Sequence, residues 1–516
     1  MTDNAVTARA NLPVILLVAG LGVAAFLRFH GLGVWPMWLD EAYSTFGAEQ
    51  SYKFIWTILP TYETHPPFYT TVLHTWTLLA GSSTWAMRLF GAIAGLASLG
   101  SIWGAASALA RTTGRPAFTA ALLAVALAGV SQTLVDIARL VRPYSLIILV
   151  YGLGIWAILK LAEGFRANGR LAPIAWLSYL ACQALLFWLH NLGALYVASL
   201  GLGMLILCGP LKLLAGQWKA FLLGHVTVLL AAAPAMLILF DQAPTWQAST
   251  WLRFKPERVP QQVMLILGLP GLFGVALASF LAWNGASTFG KDRARLTSAL
   301  LILTFLPMLF SILLSVIAAP VFLVRTLVGC AVPAILMIAA GANTDNLSRA
   351  CFAILLGLSL QNSLAVQQGR PEDEWYETAR WVSARVQPGD IVYAYPNEGA
   401  LPFHYALRDT GRAATVREIP TSMPAQELEG WYPAGGRGAQ SLPDWRLKQI
   451  ANDLVSRKTP TIWLMRIQQG IYDRNDAFLK ILQQDRQAIA HYSQGTVDIT
   501  GLRLSPKPAS PEKAKP

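Results

Sequence analysis

Gly31-Leu-Gly-Val-Trp35-Pro36-Met-Trp38-Leu39-Asp40-Glu41-Ala-Tyr43-Ser44 is the stretch on which the reading of this chain turns. It follows the first long apolar run, Leu12 to Phe29, and precedes Tyr62-Glu63-Thr64-His65-Pro66-Pro67-Phe68-Tyr69. Coming straight after an apolar run, it is the first segment to emerge across a membrane. Two adjacent carboxylates, Asp40 and Glu41, sit among Trp35, Trp38, Tyr43 and Pro36. A carboxylate held against aromatic, poorly hydrated surface is a candidate general base. The plainer reading is that Asp40 caps a short surface helix and Glu41 is solvated. Residue types alone leave both standing.

The rest of the chain says which solvent these residues meet. Of its 516 residues 54% are hydrophobic and 13% charged, against about 25% charged in ordinary globular domains. Apolar runs of about 18–25 residues recur, the length that spans a bilayer. The net charge of +12 does not point to nucleic acid, because many of the basic residues lie in short loops between apolar runs, the positive-inside pattern. The four cysteines, Cys182, Cys208, Cys330 and Cys351, all fall within or at the ends of apolar runs and form no CxxC pair, so they read as packing residues. The first run has no small-residue cleavage site close behind it and reads as a retained helix.

Eleven spans follow from the hydropathy: 12–29, then roughly 86–110, 117–135, 144–162, 172–189, 192–209, 220–240, 262–284, 297–318, 321–341 and 349–366. The segment 67–80 is apolar but short, and is interrupted by His74 and several threonines. If it crossed, giving twelve or thirteen spans, the basic loops at Arg111–Arg115, Glu163–Arg170, Lys212–Lys219, Lys291–Arg295 and before Arg349 would fall on the wrong side. The charge rule therefore favours about eleven transmembrane helices, with 67–80 juxtamembrane or re-entrant.

That sidedness gathers Asp40-Glu41, His65-Pro66-Pro67, the run Asp136 to Tyr144 with Arg139 and Arg142, His190-Asn191 and the loop Asp241 to Pro260 on one face, with Arg325 close to it. Charge at the edge of a bilayer is costly and usually faces a cavity or a partner. The expected organisation is a membrane module over 1–366, with its first external loop at about 30–85, then a soluble α/β domain over 367–505 and a disordered tail over 506–516. In the soluble part, Trp375 to Arg385 has helical spacing, Ile391–Tyr395 and Thr461–Met465 read as buried strands, and Pro424 to Pro443 reads as a long loop. Tyr393, Tyr395, Asn397, Glu398 and His404 fall close together there, but no chemistry is placed in that domain.

The ordered set of motifs resembles a known family. A first span, a tryptophan-rich loop with Asp40-Glu41, His65-Pro66-Pro67-Phe68-Tyr69 about 25 residues later, Arg88 opening the next span, and Arg142-Pro143-Tyr144-Ser145-Leu146 after a further hairpin are similar to the bacterial branch of the glycosyltransferase C superfamily. That branch includes protein O-mannosyltransferases, aminoarabinose transferases and lipid A galacturonosyltransferases. The resemblance covers residues 10–160 well and the later spans by architecture. It implies a glycosyltransferase of the bacterial inner membrane, with its active site and C-terminal domain periplasmic. Such an enzyme moves a monosaccharide with inversion from a polyprenyl-phosphate donor to a lipid, glycan or protein acceptor hydroxyl.

Carried onto this chain, the base role falls on Asp40, with Glu41 beside it; Asp40 orienting a substrate by hydrogen bonds is the competing role. The leaving lipid phosphate needs preorganised positive charge. Arg142, Arg325 and Arg139 are the candidates, since a guanidinium donates two parallel bonds to phosphate, and anchoring at lipid headgroups is the other use of the same residues. His65 is a phosphate donor, a metal ligand or a structural cap. Tyr43, Tyr144, His190 and Trp246 are the substrate-binding candidates, with a boundary histidine and a headgroup-belt tryptophan as the plainer readings of the last two. The family often has an acid two positions before the arginine matching Arg142, where this chain has Leu140. Asp40, Glu41, Glu63 and His65 have the chemistry to hold a divalent cation; no metal site and no obligatory cofactor are expected.

A transporter or flippase for a lipid-linked sugar is the alternative function, and a non-catalytic envelope-assembly protein a third. Transporters place their ionisable groups at mid-membrane in helices related by repeats. Here the groups gather at one face, the first external loop is long, and no two-fold repeat is visible, which favours the enzyme.

Overall fold

The computed structural model describes residues 2–505 except 64, 250–251, 368–373, 423–441, 454 and 456–458, and leaves out the side chains of 2–11, 62, 214, 242, 244–249 and 366–367 as well. The expected loop at Pro424–Pro443, save its last two residues, and the expected tail at 506–516 therefore lie outside the described residues. Two compact units divide the chain. One is Met1–Leu32, Gly47–Ala243 and Leu252–Gly369, and the other is Gly33–Phe46, Pro244–Trp251 and Arg370–Pro516.

The first unit is helical. Among the described residues, seven helices are long and apolar enough to cross a membrane: Leu12–Phe29, Thr84–Thr112, Tyr144–Asn168, Ala215–Asp241, Gly290–Ile317, Val324–Gly341 and Asn346–Ala365. Two bent pairs, Ala117–Val130 with Gln132–Ala138 (64°) and Pro256–Ile266 with Gly271–Ser287 (62°), bring the number to nine if each is one span. Pro173–Leu189 and Gly193–Cys208 are shorter apolar helices. Phe68–Ala80 has 13 residues, a length of about 20 Å at 1.5 Å per residue, short of the roughly 30 Å of a bilayer core. Large apolar side chains face outward on these helices: Ile174, Leu230, Leu237 and Ile317 are each at least two-thirds exposed. A surface so apolar is stable when its surroundings are hydrocarbon.

Lipid cannot drive helices together by the hydrophobic effect, so close approach and internal hydrogen bonds must do so. The helices Gly271–Ser287 and Ala331–Gly341 show the first device. Added methyl groups at Gly285 and Gly341 would lie 2.2 Å from the Met337 carbonyl oxygen and 1.9 Å from that of Leu281. The second device closes the first span. Arg28 is fully buried and donates to the carbonyls of Ala24 (3.1 Å), Gly129 (2.8 Å) and Ala128 (3.3 Å). Arg88 donates to the carbonyl of Leu32 at 2.9 Å.

One expectation is corrected here. The loop proposed from Asp241 is helical as far as Ser249, at the end of the helix Pro210–Ser249, which breaks once at Gln217. Only then come the turn Pro256–Arg258 and the helix Val259–Ile266. The run Asp241–Ser249 is polar, as a loop is, but has one proline and no glycine to break the helix. Trp246 thus sits in a helix, its side chain outside the described residues.

The second unit holds a five-stranded sheet with strand order β2-β1-β3-β5-β4. The strands are β1 Ile391–Tyr395, β2 Val416–Glu418, β3 Thr461–Ile467, β4 Arg486–Gln494 and β5 Val497–Leu504. β1 runs parallel to β2 and β3, β5 is antiparallel to β3, and β4 and β5 form an antiparallel hairpin with an irregularity between Ala488 and Ala490. One face packs Tyr393, Tyr395, Ile462 and Leu464 against Leu447, Ile450, Phe478 and Leu482. The other packs Val392, Ala394, Trp463 and Met465 against Trp375, Val382 and Phe403. Burial on both faces makes β1 and β3 continuous apolar runs, which is why they are readable in the sequence. β4 is half exposed, and its Gln487, His491, Ser493 and Gln494 hid it. Arg466 on β3 is buried and bonded to Asp473 (2.8 Å), Asp476 (2.6 Å) and Asp498 (2.5 Å).

Replacing Gly285 or Gly341 by Ala forces a methyl into a backbone contact. Each is expected to destabilise the protein by about 1–3 kcal/mol, read as a lower unfolding midpoint of the detergent-solubilised chain.

Candidate functional site

Five of the residues singled out above come together in the membrane unit. Pro67 is the N-cap residue of the helix Phe68–Ala80. The preceding prolines carry no N–H and restrict the chain, so His65 stands just ahead of a fixed helix start. His190 ends the helix Pro173–Leu189 in an extended conformation (φ −162°, ψ 145°). The two imidazoles meet with Nε2 atoms 3.2 Å apart and rings edge to face at 4.7 Å.

The partners of the rings assign their protons. His190 Nδ1 accepts from the Leu192 N–H at 3.0 Å, so its proton is on Nε2, which donates to His65 Nε2. His65 then carries its own proton on Nδ1 and donates to Glu63 Oε1 at 2.7 Å. A directed chain of hydrogen bonds thus runs from the Leu192 backbone to the Glu63 carboxylate. The ring of Tyr144 lies 5.8 Å from that of His190, and the guanidinium carbon of Arg142 lies 6.0 Å from the Tyr144 ring centre. Arg142 is buried and Arg325 half-buried, and both are within electrostatic reach of His190. Two guanidiniums, two imidazoles and the Glu63 carboxylate are thus gathered in one place.

Arg139 is placed differently. It donates to the carbonyls of Leu27 (3.1 Å), His30 (2.6 Å) and Gly31 (3.5 Å) at the end of the first span. Helix carbonyls left without intrahelical partners attract cationic donors. Arg139 therefore joins Arg28 and Arg88 in closing that helix end, a role open to arginines anywhere in a bundle and carrying no signal in sequence.

Asp40, Glu41 and Tyr43 belong to the second unit, on the helix Leu39–Ala48, with both acids in its first turn. Glu41 is buried, and its carboxylate accepts from the Trp38 N–H at 3.4 Å, as an N-terminal cap does. Asp40 is half-buried, and its carbonyl accepts from the Ser44 hydroxyl at 3.1 Å. Leu39 packs against the sheet core. In the same unit Glu398, directly after β1, accepts hydrogen bonds from Tyr43 and from Tyr472, the latter at 3.3 Å, and feels the charge of Asp40. Burial, with the Asp40 charge adding to it, raises the Glu398 pKa above the usual carboxylate value against the pull of the two hydroxyls. In the sequence Glu398 stands out only as one of a cluster in which no chemistry is placed; the signal that marks it is its place beyond the carboxyl end of a buried parallel strand, where open α/β sheets hold their ligands. Among the described residues no group of three or more His, Cys, Asp and Glu is placed to hold a metal ion.

No protein-family profile and no curated protein sequence matches the chain. Solved structures do. The chain is similar to ArnT from Cupriavidus metallidurans in the apo state, with a TM-score of 0.57 at 14% identity, covering 96% of this chain and 98% of that one. Against the same protein bound to undecaprenyl phosphate the TM-score is 0.58 at 13% identity, over 95% and 98%. The apo oligosaccharyltransferase of Archaeoglobus fulgidus gives 0.52 at 12% identity, over 96% of this chain and 74% of that one. The chain has the glycosyltransferase C fold. It is a multi-pass membrane protein. At such identities the likeness is one of fold, and it assigns no residue a role.

The raised Glu398 pKa has a sign. Its neutral form is favoured in the folded state, so charging it costs stability as pH rises through the folded value. Glu398→Gln is expected to unfold at a higher temperature than the parent at neutral pH. The gap should close below the ordinary Glu range of about 4.3, as read by thermal unfolding of the full chain across pH.

Proposed function

We propose that this protein is an inverting glycosyltransferase that moves a monosaccharide from a polyprenyl-phosphate donor to a cell-envelope acceptor hydroxyl at the periplasmic face of a bacterial inner membrane. The observation that carries the reading is the convergence of two arginines, Arg142 and Arg325, with His190, His65 and Tyr144 from distant stretches of the chain. The fold shared with ArnT, which is described bound to undecaprenyl phosphate, supports a polyprenyl phosphate as the anion held there.

In the reaction the acceptor oxygen attacks the anomeric carbon of the donor sugar from the face opposite the phosphate. The new glycosidic bond forms as the bond from that carbon to the phosphate oxygen breaks. Asp40 takes the proton of the acceptor hydroxyl, since a hydroxyl is a weak nucleophile without a positioned base. Glu41 caps the helix that carries Asp40. Arg142 and Arg325 receive the negative charge that collects on the leaving phosphate, with the His65–His190 pair beside them. Tyr43, Tyr144 and Trp246 are kept as substrate contacts. This assignment needs no metal.

The two bent pairs, each taken as one span, together with the shorter helices Pro173–Leu189 and Gly193–Cys208 support eleven crossings. With a cytoplasmic N-terminus, the basic loops are then inside, and Asp40, Arg142 and the C-terminal domain outside.

The test is turnover of a radiolabelled polyprenyl-phosphate sugar by the purified protein, with release of polyprenyl phosphate. Asp40→Asn is expected to lower turnover by about 10²–10⁴-fold. Arg142→Gln and Arg325→Gln are expected to lower it by about 10²–10³-fold. Near-normal turnover in Asp40→Asn removes the base, movement of the lipid between vesicles without bond cleavage points to a flippase, and loss of activity on chelation overturns the metal-free mechanism.

A further inference from the structure

Arg325 sits in a segment that cannot hold itself. The helical turn Val324–Leu327 has four residues and is followed by the three-residue turn Val328–Cys330 before the helix Ala331–Gly341 begins. A single turn gains too few hydrogen bonds to offset the cost of ordering it, so its shape is imposed from outside.

Tyr196 supplies that hold. It lies on the helix Gly193–Cys208, is 1% exposed, and has a hydroxyl with one proton to give and lone pairs to receive. It donates to the Thr326 carbonyl at 2.8 Å and accepts from the Gly329 N–H at 3.2 Å. Those partners are the residue after Arg325 and the residue four after it, so one oxygen ties both halves of the segment. Gly329 lies flat against the same ring: a methyl there would fall 2.8 Å from Tyr196 Cε1.

The anchor is itself anchored. The Tyr196 ring meets that of Tyr151 edge to face, with centres 4.7 Å apart. The Tyr151 hydroxyl lies 2.9 Å from that of Ser199 and donates to the Leu303 carbonyl at 2.7 Å. The helix bearing Tyr196 also begins directly after His190, whose Nδ1 is fixed by the Leu192 N–H. The Arg325 turn and His190 are thus registered to the same stretch of chain. A tyrosine buried only for its bulk would need one partner for its hydroxyl; this one spends both sides of its oxygen on the turn that carries the arginine.

We propose that Tyr196 is the positioning residue of Arg325: its hydroxyl latches the 324–330 segment so that the guanidinium is held at the His190 locus for a lipid phosphate. This rests on the reading of Arg325 as a phosphate ligand.

The test is a double-mutant cycle read by binding of undecaprenyl phosphate to the detergent-solubilised full chain, with thermal unfolding alongside. Tyr196→Phe keeps the ring and removes the latch. It is expected to weaken binding on the order of tenfold, the loss for one well-placed hydrogen bond. In an Arg325→Gln background the same change should cost nothing further, because there is no guanidinium left to place. Gly329→Ala, which displaces the ring but leaves the hydroxyl, should repeat the pattern and covers the case in which Tyr196→Phe does not fold. If the Tyr196→Phe and Arg325→Gln losses multiply, or if Tyr196→Phe binds as the parent does while Arg325→Gln is impaired, the latch is overturned and the reading of Arg325 stands. If Arg325→Gln itself binds as tightly as the parent, the reading of Arg325 falls and the latch proposal with it.

Discussion

Inside a bilayer no water is at hand to satisfy a polar group, and each one must find its partner within the protein. The membrane unit is arranged around that constraint. Its first span ends among three arginines: Arg28, Arg88 and Arg139 donate to the carbonyls of Ala24, Leu27, His30, Gly31, Leu32, Ala128 and Gly129. Long cationic side chains are used there as backbone donors. They satisfy a helix end where a smaller residue could not reach, and they tie the first span to the bent pair Ala117–Val130 and Gln132–Ala138.

The same economy shapes the arginine–histidine locus. His65 and His190 each pass one hydrogen bond on, so the order Leu192, His190, His65, Glu63 has a direction. Such a chain uses the ring N–H groups on one another and on Glu63, while the arginines suit a phosphate because their charge persists at any physiological pH. The tyrosines act one level further out. Tyr144 stands between Arg142 and His190, and Tyr196 and Tyr151 carry hydroxyls to carbonyls on neighbouring segments. Hydroxyls of this kind fix short, irregular backbone that could not otherwise persist at membrane depth.

In the second unit the helix bearing Asp40 is built onto the five-stranded sheet. Leu39 enters the sheet core and Tyr43 donates to Glu398. The helix is held there by that apolar contact and by the hydrogen bond to the half-buried Glu398. Glu41, the other half of the acidic pair, is turned inward to the Trp38 backbone N–H. The two neighbouring acids thus have different surroundings although they are adjacent in the chain.

The sequence by itself determined the solvent and the list of parts. Hydropathy located helices close to where they stand, because a membrane span needs length and apolar composition and both are local. β1 and β3 were readable because burial on both faces leaves an unbroken apolar run. Motif order pointed to the glycosyltransferase C fold, and the charge of the loops put Asp40-Glu41, His65, the run Asp136 to Tyr144, His190 and the loop Asp241 to Pro260 on one face, with Arg325 close to it. What only the tertiary structure decided is which of these residues meet and which are spent elsewhere. Arg139 and Arg142 are three apart and look alike in sequence, yet one closes a helix end and the other joins the arginine–histidine locus. The bonds of Glu398 to Tyr43 and of Tyr196 to Thr326 are not legible, since the partners lie far along the chain or on a turn that no periodicity marks. A hydrogen bond is a matter of distance and direction in space, and neither is written in the spacing of residues along a chain.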